Sequence, residues 1–367
     1  MSEDVTNEER ENNFSNYMPK DNQDAPTNDE SSDVKETVTP TSSGYGFERE
    51  NTEIIWVSQK VSDLRREFSN YVIGQHEMIE LLLTGVFSNG HILIEGVPGV
   101  AKTLSSKVIA KALDIQFSRI QFTPDMMPSD VIGTSVYNMK ESSFIFNKGP
   151  IFSNIVLIDE INRAAAKTQS ALFEVMEERQ ITYDGKTYPM DFPFLVIATQ
   201  NPVDQEGTYN LPEAQLDRFL FKIKMTYPEL SEEEEILRRY KNQINTGDLS
   251  KIKKIFTAAD VAKIHSIVEN IVVEENLLRY IAALVHKTRN HGNIYLGASP
   301  RASLSLLKSA KALAAIRGRD FITPDDIQFL AVHVLNHRLI LTPEAEMEGI
   351  STEEVIKEIL EQVEVPR

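Results

Sequence analysis

Apolar positions along this chain fall into three regimes. Residues 1–50 contain no Ile and no Leu and are dense in Asn, Ser, Thr, Asp and Glu. Such a segment cannot bury enough apolar surface to offset its chain entropy, and it predicts a disordered tail. Order is expected from about Thr52, where Val57, Val61, Leu64 and Phe68 recur at helical spacing. From there to about Tyr227 short apolar runs alternate with helical stretches. The strand-like runs are His91–Glu95, Gln116–Phe122, Ile155–Ile158, Phe194–Ala198 and Phe219–Met225; helices are expected at Lys102–Leu113 and Ala164–Glu178. Several runs are apolar throughout, as strands buried on both faces of a parallel sheet must be. That alternation predicts an α/β core with a parallel sheet flanked by helices.

After Tyr227-Pro228 the signals are helical. Ser231 is expected to cap the acidic run Glu232–Glu235. Ile264, Ile267, Val268 and Ile271 mark one stripe, and Ile327, Leu330, Ala331, Val334 and Leu335 another. Thr323-Pro324-Asp325-Asp326 offers an N-cap, an N1 proline and an acidic N3. The expected organisation is an acidic tail (1–50), an α/β core (51–228) and a smaller all-helical domain (229–367).

Composition narrows the function classes. The net charge of −17 is uneven: residues 1–50 carry thirteen acids and four bases, net −9, leaving −8 for the other 317 residues. The acidic balance argues against a surface built for phosphate backbones. With no cysteine, disulfide scaffolds, zinc fingers and cysteine nucleophiles are excluded. Met1 to Arg10 are polar and acidic, so no signal peptide is expected, and no apolar run approaches the roughly 20 residues of a membrane span. These features predict a cytoplasmic protein. His333 and His337 have metal-ligand spacing but flank Val334 and Leu335 of the apolar stripe, so they read as helix packing. Trp56, Tyr71 and His76 likewise read as packing residues.

The candidate chemistry starts with Gly96-Val97-Pro98-Gly99-Val100-Ala101-Lys102-Thr103, which follows a predicted strand and opens a helix. Glycines let successive N–H groups face an anion, and the helix N-terminus adds its positive end. In this context Lys102 would reach the β- and γ-phosphates, and Thr103 would place its hydroxyl on Mg²⁺. Ala101 stands where the phosphate-loop pattern has glycine. Ile155–Ile158 ends in Asp159-Glu160, 57 positions after Lys102. At the same sheet edge Asp159 would hold Mg²⁺ and Glu160 would orient and deprotonate the attacking water. Asn201 follows a third strand, where its amide could hydrogen-bond that water or the γ-phosphate. Arg301 lies in the first turn of a helix capped by Ser299, where the positive helix end disfavours it unless an anion sits opposite. It is a phosphate candidate.

The strings GVPGVAKT, IVLIDEINRA, ATQNP, LPEAQLDRF and GASPRA, in this order, resemble those of MoxR-type AAA+ ATPases over roughly Ser58 to Gln362. The alanine at 101 is itself part of the MoxR pattern. The resemblance implies that Lys102 and Thr103 are the Walker A pair, within a nucleotide-contacting loop from Gly96 to Leu104, and that Asp159 and Glu160 are Walker B. It further implies that Asn201 is sensor 1, Arg218 the arginine finger and Arg301 sensor 2 at the start of a lid helix. Val72 and Ile73 of Val72-Ile73-Gly74-Gln75 would line the adenine pocket. Insertions are expected around Met126–Lys148 and, as a β-hairpin, around Gln180–Pro193; Asp184-Gly185 suits the hairpin turn independently.

The implied activity is Mg²⁺-dependent ATP hydrolysis in a ring, typically a hexamer, with Arg218 acting on the neighbouring subunit's ATP. The implied work is chaperone-like remodelling of partner proteins, with von Willebrand factor A-domain proteins as the partner class. A nucleic-acid helicase or loader, a metal-chelatase motor subunit and a nonhydrolysing nucleotide-dependent scaffold are the alternatives.

Overall fold

The computed structural model describes residues 52–366 except 98, 141, 202–208 and 242–247, so the predicted acidic tail lies outside the described residues. Helices α1 (Thr52–Ser69) and α2 (His76–Phe87) precede strand β1 (Ile92–Gly96). Then come α3 (Lys102–Ala112), β2 (Phe117–Gln121), α4 (Pro128–Ile132), the hairpin β3 (Gly133–Asn138) and β4 (Ser143–Lys148), and β5 (Ile155–Asp159). Helix α5 (Ala166–Glu178), the hairpin β6 (Gln180–Tyr183) and β7 (Lys186–Pro189), β8 (Leu195–Gln200), α6 (Glu213–Leu216) and β9 (Phe221–Met225) follow. Both hairpins fall in the two expected insertions. Asp184 and Gly185, with φ of 50° and 71°, make the predicted tight turn.

Five strands form one parallel sheet in the order β2-β5-β8-β1-β9. Its centre is buried on both faces because successive side chains alternate sides. Ile92, Ile94, Ile155, Leu157, Leu195 and Ile197 face one apolar cluster with α1, α2 and α3. Leu93, Val156, Ile158, Val196 and Ala198 face a second cluster, with Leu172, Phe173 and Met176 of α5.

Beyond β9 the chain is helical: α7 (Leu230–Tyr240), α8 (Ala258–Glu269), α9 (Glu275–Thr288), α10 (Pro300–Ile316), α11 (Pro324–Leu335), α12 (Pro343–Met347) and α13 (Thr352–Gln362). One small antiparallel pair, β10 (Ile294–Leu296) with β11 (Ile340–Leu341), interrupts it. Both predicted stripes are buried, one on α8 and in Ile271 just after it, the other on α11, and Thr323 is the N-cap expected at the start of α11, its N–H donating to Asp326 Oδ2 at 2.9 Å. The start of α7 differs from expectation. Glu229, not Ser231, is its N-cap: the Glu229 N–H donates to Glu232 Oε2 at 3.0 Å, and Ser231 is left inside the first turn. The helical part shares the first apolar cluster with the sheet, through residues such as Ile264, Leu306 and Leu330.

His91 pins the lower edge of the sheet. Its Nε2 donates to the Met176 carbonyl at 3.0 Å, and its Nδ1 accepts from the Val196 N–H at 2.9 Å. Burial, reinforced by the positive charge of Arg179, pushes the imidazole down to about 3 against that carbonyl bond. The unfolded chain takes up this proton near 6.5 and the folded chain only near 3. Between those values the unfolded state binds more protons, so stability falls as pH falls. Urea midpoints should therefore drop between pH 6.5 and 5, above the carboxylate range. A flat midpoint over that window would contradict a neutral, buried His91.

Candidate nucleotide site

Strand β1 ends at Gly96 and α3 begins at Lys102, so the predicted phosphate loop spans the gap at the C-terminal sheet edge. Pro98 lies outside the described residues. Gly99 sits at φ 90°, and Ala101, the residue before α3, at φ 61°. A left-handed conformation costs an L-residue about 1–2 kcal/mol. Ala101 thus adopts the backbone shape for which glycine is usual, and its methyl does not prevent it. The Lys102 ammonium donates to the Gly96 carbonyl at 2.7 Å, which folds it back over the loop.

The acidic pair meets this loop from β5. Asp159, 6% exposed, accepts at Oδ1 from the Thr199 hydroxyl (3.1 Å) and at Oδ2 from Thr103 Oγ1 (3.4 Å). Asp159 Oδ2 also accepts from Arg119 Nε at 2.6 Å. The Glu160 N–H donates to Thr199 Oγ1 at 3.0 Å, so one hydroxyl locks both acids. Glu160 has φ 59°, and its Oε2 receives Gln121 Nε2 at 2.7 Å and Arg163 Nε at 3.0 Å. Asn201, buried, follows the end of β8; Gln200 pairs with Glu95 of β1, which puts Asn201 level with the start of the loop. Hydroxyl, carboxylates, amide and ammonium therefore converge on one edge. The oxygen set of Thr103 and Asp159 fits a hard divalent cation such as Mg²⁺.

Beside the loop lies a cleft of about 710 Å³. Val72, Ile73, Gly99, Ala101 and Leu104 line it, with Asn70 and Tyr71 beside them. Ile236, Arg239 and Tyr240 of α7, with Asp248 and Lys251, close the opposite wall. Tyr71, expected as a packing residue, and the apolar and basic positions of α7 thus join the cleft wall. Gly74 shows how tightly these segments meet: at φ 67°, an added Cβ would fall 2.2 Å from Glu232 Oε1. Arg119, Gln121 and Thr199 were missed too. The available signal was the polar alternation of Arg119 and Gln121 in an otherwise strand-like run.

Arg218 and Arg301 sit elsewhere. Arg218 precedes β9, and the nearby Leu220 N–H donates to the His91 carbonyl just before β1, so Arg218 belongs to the N-terminal sheet edge. The length of β1, roughly 15 Å at about 3.3 Å per residue, separates that edge from the phosphate loop. Arg301 is N-capped as predicted, its N–H donating to Ser299 Oγ at 3.2 Å, but its guanidinium meets Glu177 at 2.8 Å. Glu177 follows Met176, which holds His91. The anion opposite Arg301 is thus a carboxylate at the Arg218 edge, and the fold does not bring Arg301 to the Lys102 loop.

Residues 91–221 match the model of the ATPase family associated with various cellular activities (AAA), and residues 286–359 that of the AAA lid domain. The chain is 46% identical over 295 residues to the uncharacterized protein YeaC of Bacillus subtilis, covering 80% of this chain and 91% of that one. It is 44% identical over 310 residues to chaperone MoxR1 of Mycobacterium tuberculosis, covering 82% and 81%. Protein MoxR of Methylorubrum extorquens is 30% identical over 328 residues, covering 82% and 94%. The chain belongs to the MoxR family of AAA+ ATPases. A crystal structure of a candidate ATPase from Cytophaga hutchinsonii superposes with a TM-score of 0.80 at 46% identity, covering 86% of this chain and 98% of that one. For a MoxR protein the parallel sheet is the AAA core and the helices after β9 include the AAA lid. Nucleotide binding and ATP hydrolysis follow as the activity of the class. Among the described residues no helix is long and apolar enough to cross a membrane.

Proposed function

We propose that this MoxR chain hydrolyses ATP at a site completed by a neighbouring copy in a ring, and uses the turnover to remodel or activate partner proteins. The observation that carries this reading is the division of parts: Lys102, Thr103, Asp159, Glu160 and Asn201 share one sheet edge while Arg218 lies at the other. In this reading residues 51–228 form the ATPase core and 229–367 the lid, and the setting is cytoplasmic. The adenine occupies the cleft between Val72, Ile73 and α7. Lys102 leaves its contact with Gly96 to meet the β- and γ-phosphates, and backbone N–H groups of the loop from Gly99 to Leu104 cradle them. Thr103 and Asp159 would hold Mg²⁺, which when bound would neutralise charge on those phosphates. Asn201 orients the attacking water and Glu160 accepts its proton. Arg218 of the neighbour stabilises the charge developing on the transferred group. A single copy holds its own Arg218 a strand's length away, so it hydrolyses ATP poorly, and a hexameric ring supplies the missing cation.

Protein partners are supported by two features. One relative is named a chaperone. The hairpin β3–β4 also exposes Val136, Tyr137, Met139, Phe144 and Ile145, with Met139 86% and Phe144 69% accessible. An exposed apolar cluster of this kind suits a protein surface better than a phosphate backbone. Proteins bearing von Willebrand factor A-like domains are the partner class. In assembled rings such a protein should raise ATP turnover several-fold while DNA and RNA leave it unchanged. Stimulation by nucleic acid alone would overturn the remodelling reading in favour of a helicase or loader.

A further inference from the structure

Two arginines from distant parts of the chain share one carboxylate at the sheet edge opposite the phosphate loop. Arg301, from the first turn of α10, chelates Glu177: Nη2 reaches Oε1 at 2.8 Å and Nη1 reaches Oε2 at 3.3 Å. Arg218, from the loop before β9, lies 3.6 Å from the same Oε2 and donates to the Phe173 carbonyl at 2.8 Å. A second carboxylate ties the same elements together. Asp217 accepts from Ser299, the N-cap of α10, at 3.0 Å, and from the buried Arg338 of the segment after α11 at 2.7 Å. Arg338 also donates to the carbonyls of Asp217 and Phe219. Three guanidiniums are thus tied together by two carboxylates.

Isolated surface ion pairs contribute little to stability, so stability alone gives Glu177 little to do. Geometry gives it more. Two guanidiniums beside a positive helix end repel each other, and a carboxylate chelated by one and touching the other fixes their separation and direction. The side chains of Arg301 and Arg218 are still 51% and 30% accessible. They are held together yet open to a phosphate arriving from outside this chain. Glu174 and Glu178 line the same groove as Glu177 and Arg218, but neither is paired with these arginines.

We infer that Glu177 is a positioning residue of the composite site, holding Arg218 and Arg301 as one unit that engages the neighbouring subunit's ATP. This rests on the in-trans reading of Arg218. The test uses rings assembled from two full-length variants: Arg218→Ala, whose own loop and Glu160 are intact, and Glu160→Gln, which supplies the arginines. Adding Glu177→Ala to the Glu160→Gln chain should lower the restored kcat about 10–100-fold, the cost of misplacing a reacting group by about 1 Å. KM for ATP should stay within about twofold. Adding Glu177→Ala to the Arg218→Ala chain should leave the restored rate unchanged, because that chain's arginines serve no active site. Glu174→Ala in the supplying chain should be silent. A role in folding or assembly would lower the rate from either chain, and that outcome, or no effect from the supplying chain, overturns the Glu177 assignment alone. No restoration by the pair without changes at Glu177 overturns the in-trans reading and Glu177 with it.

Discussion

Glu160→Gln should reduce ATP turnover about 10²–10⁴-fold, the range that a positioned general base contributes, and leave nucleotide affinity within a few-fold. The substitution keeps the shape of the side chain and removes its basicity. The groups that would bind nucleotide are elsewhere: Lys102 and Thr103 on the loop, and Val72, Ile73 and α7 around the cleft. Glu160 itself touches Gln121 and Arg163, both at the solvent-facing side of the edge, so an amide there costs the fold little. Steady-state phosphate release together with a direct binding measurement checks this. Intact turnover would remove Glu160 from the role of base.

Arg218→Ala should lower turnover further, by about 10³–10⁵-fold, with ATP affinity unchanged and rings still formed. The reason is again positional. Arg218 lies at the edge where β9 begins, beside Phe173 and Glu177, and its hydrogen-bond and ion-pair partners among the described residues are not on the phosphate loop. Its loss leaves binding intact and removes a cation present only where two subunits meet. A side chain acting within its own site would change affinity and rate together. Light scattering with the rate assay distinguishes lost catalysis from lost assembly.

Much of this was legible before the fold, and the limit is physical. The phosphate loop and Asp159-Glu160 could be placed because each follows an apolar run, and parallel strands must bring their C-terminal ends to one edge. The caps at Thr323 and Ser299 are local chemistry and are found as expected. The contacts of Arg119 and Gln121 depend on β2 pairing in register with β5, Gln121 opposite Asp159, which no local pattern specifies. The α7 wall of the cleft, and the pairing of Arg301 with Glu177 124 positions away, are long-range in the same sense. At the start of α7 only Ser231 was expected as a cap, but the helix begins one residue earlier, at Leu230, with Glu229 as its N-cap. Ala101, where the phosphate-loop pattern has glycine, still takes the left-handed conformation at modest cost.

The central claim is that catalysis needs parts from two copies, and one mixing measurement tests it. Glu160→Gln and Arg218→Ala chains, each inactive alone, are combined under conditions where rings assemble, and ATP turnover is followed against mixing ratio. The account predicts that activity reappears and peaks at intermediate ratios, where intact Glu160 sites adjoin intact Arg218 neighbours. Assembled mixed rings that stay inactive at every ratio would contradict it.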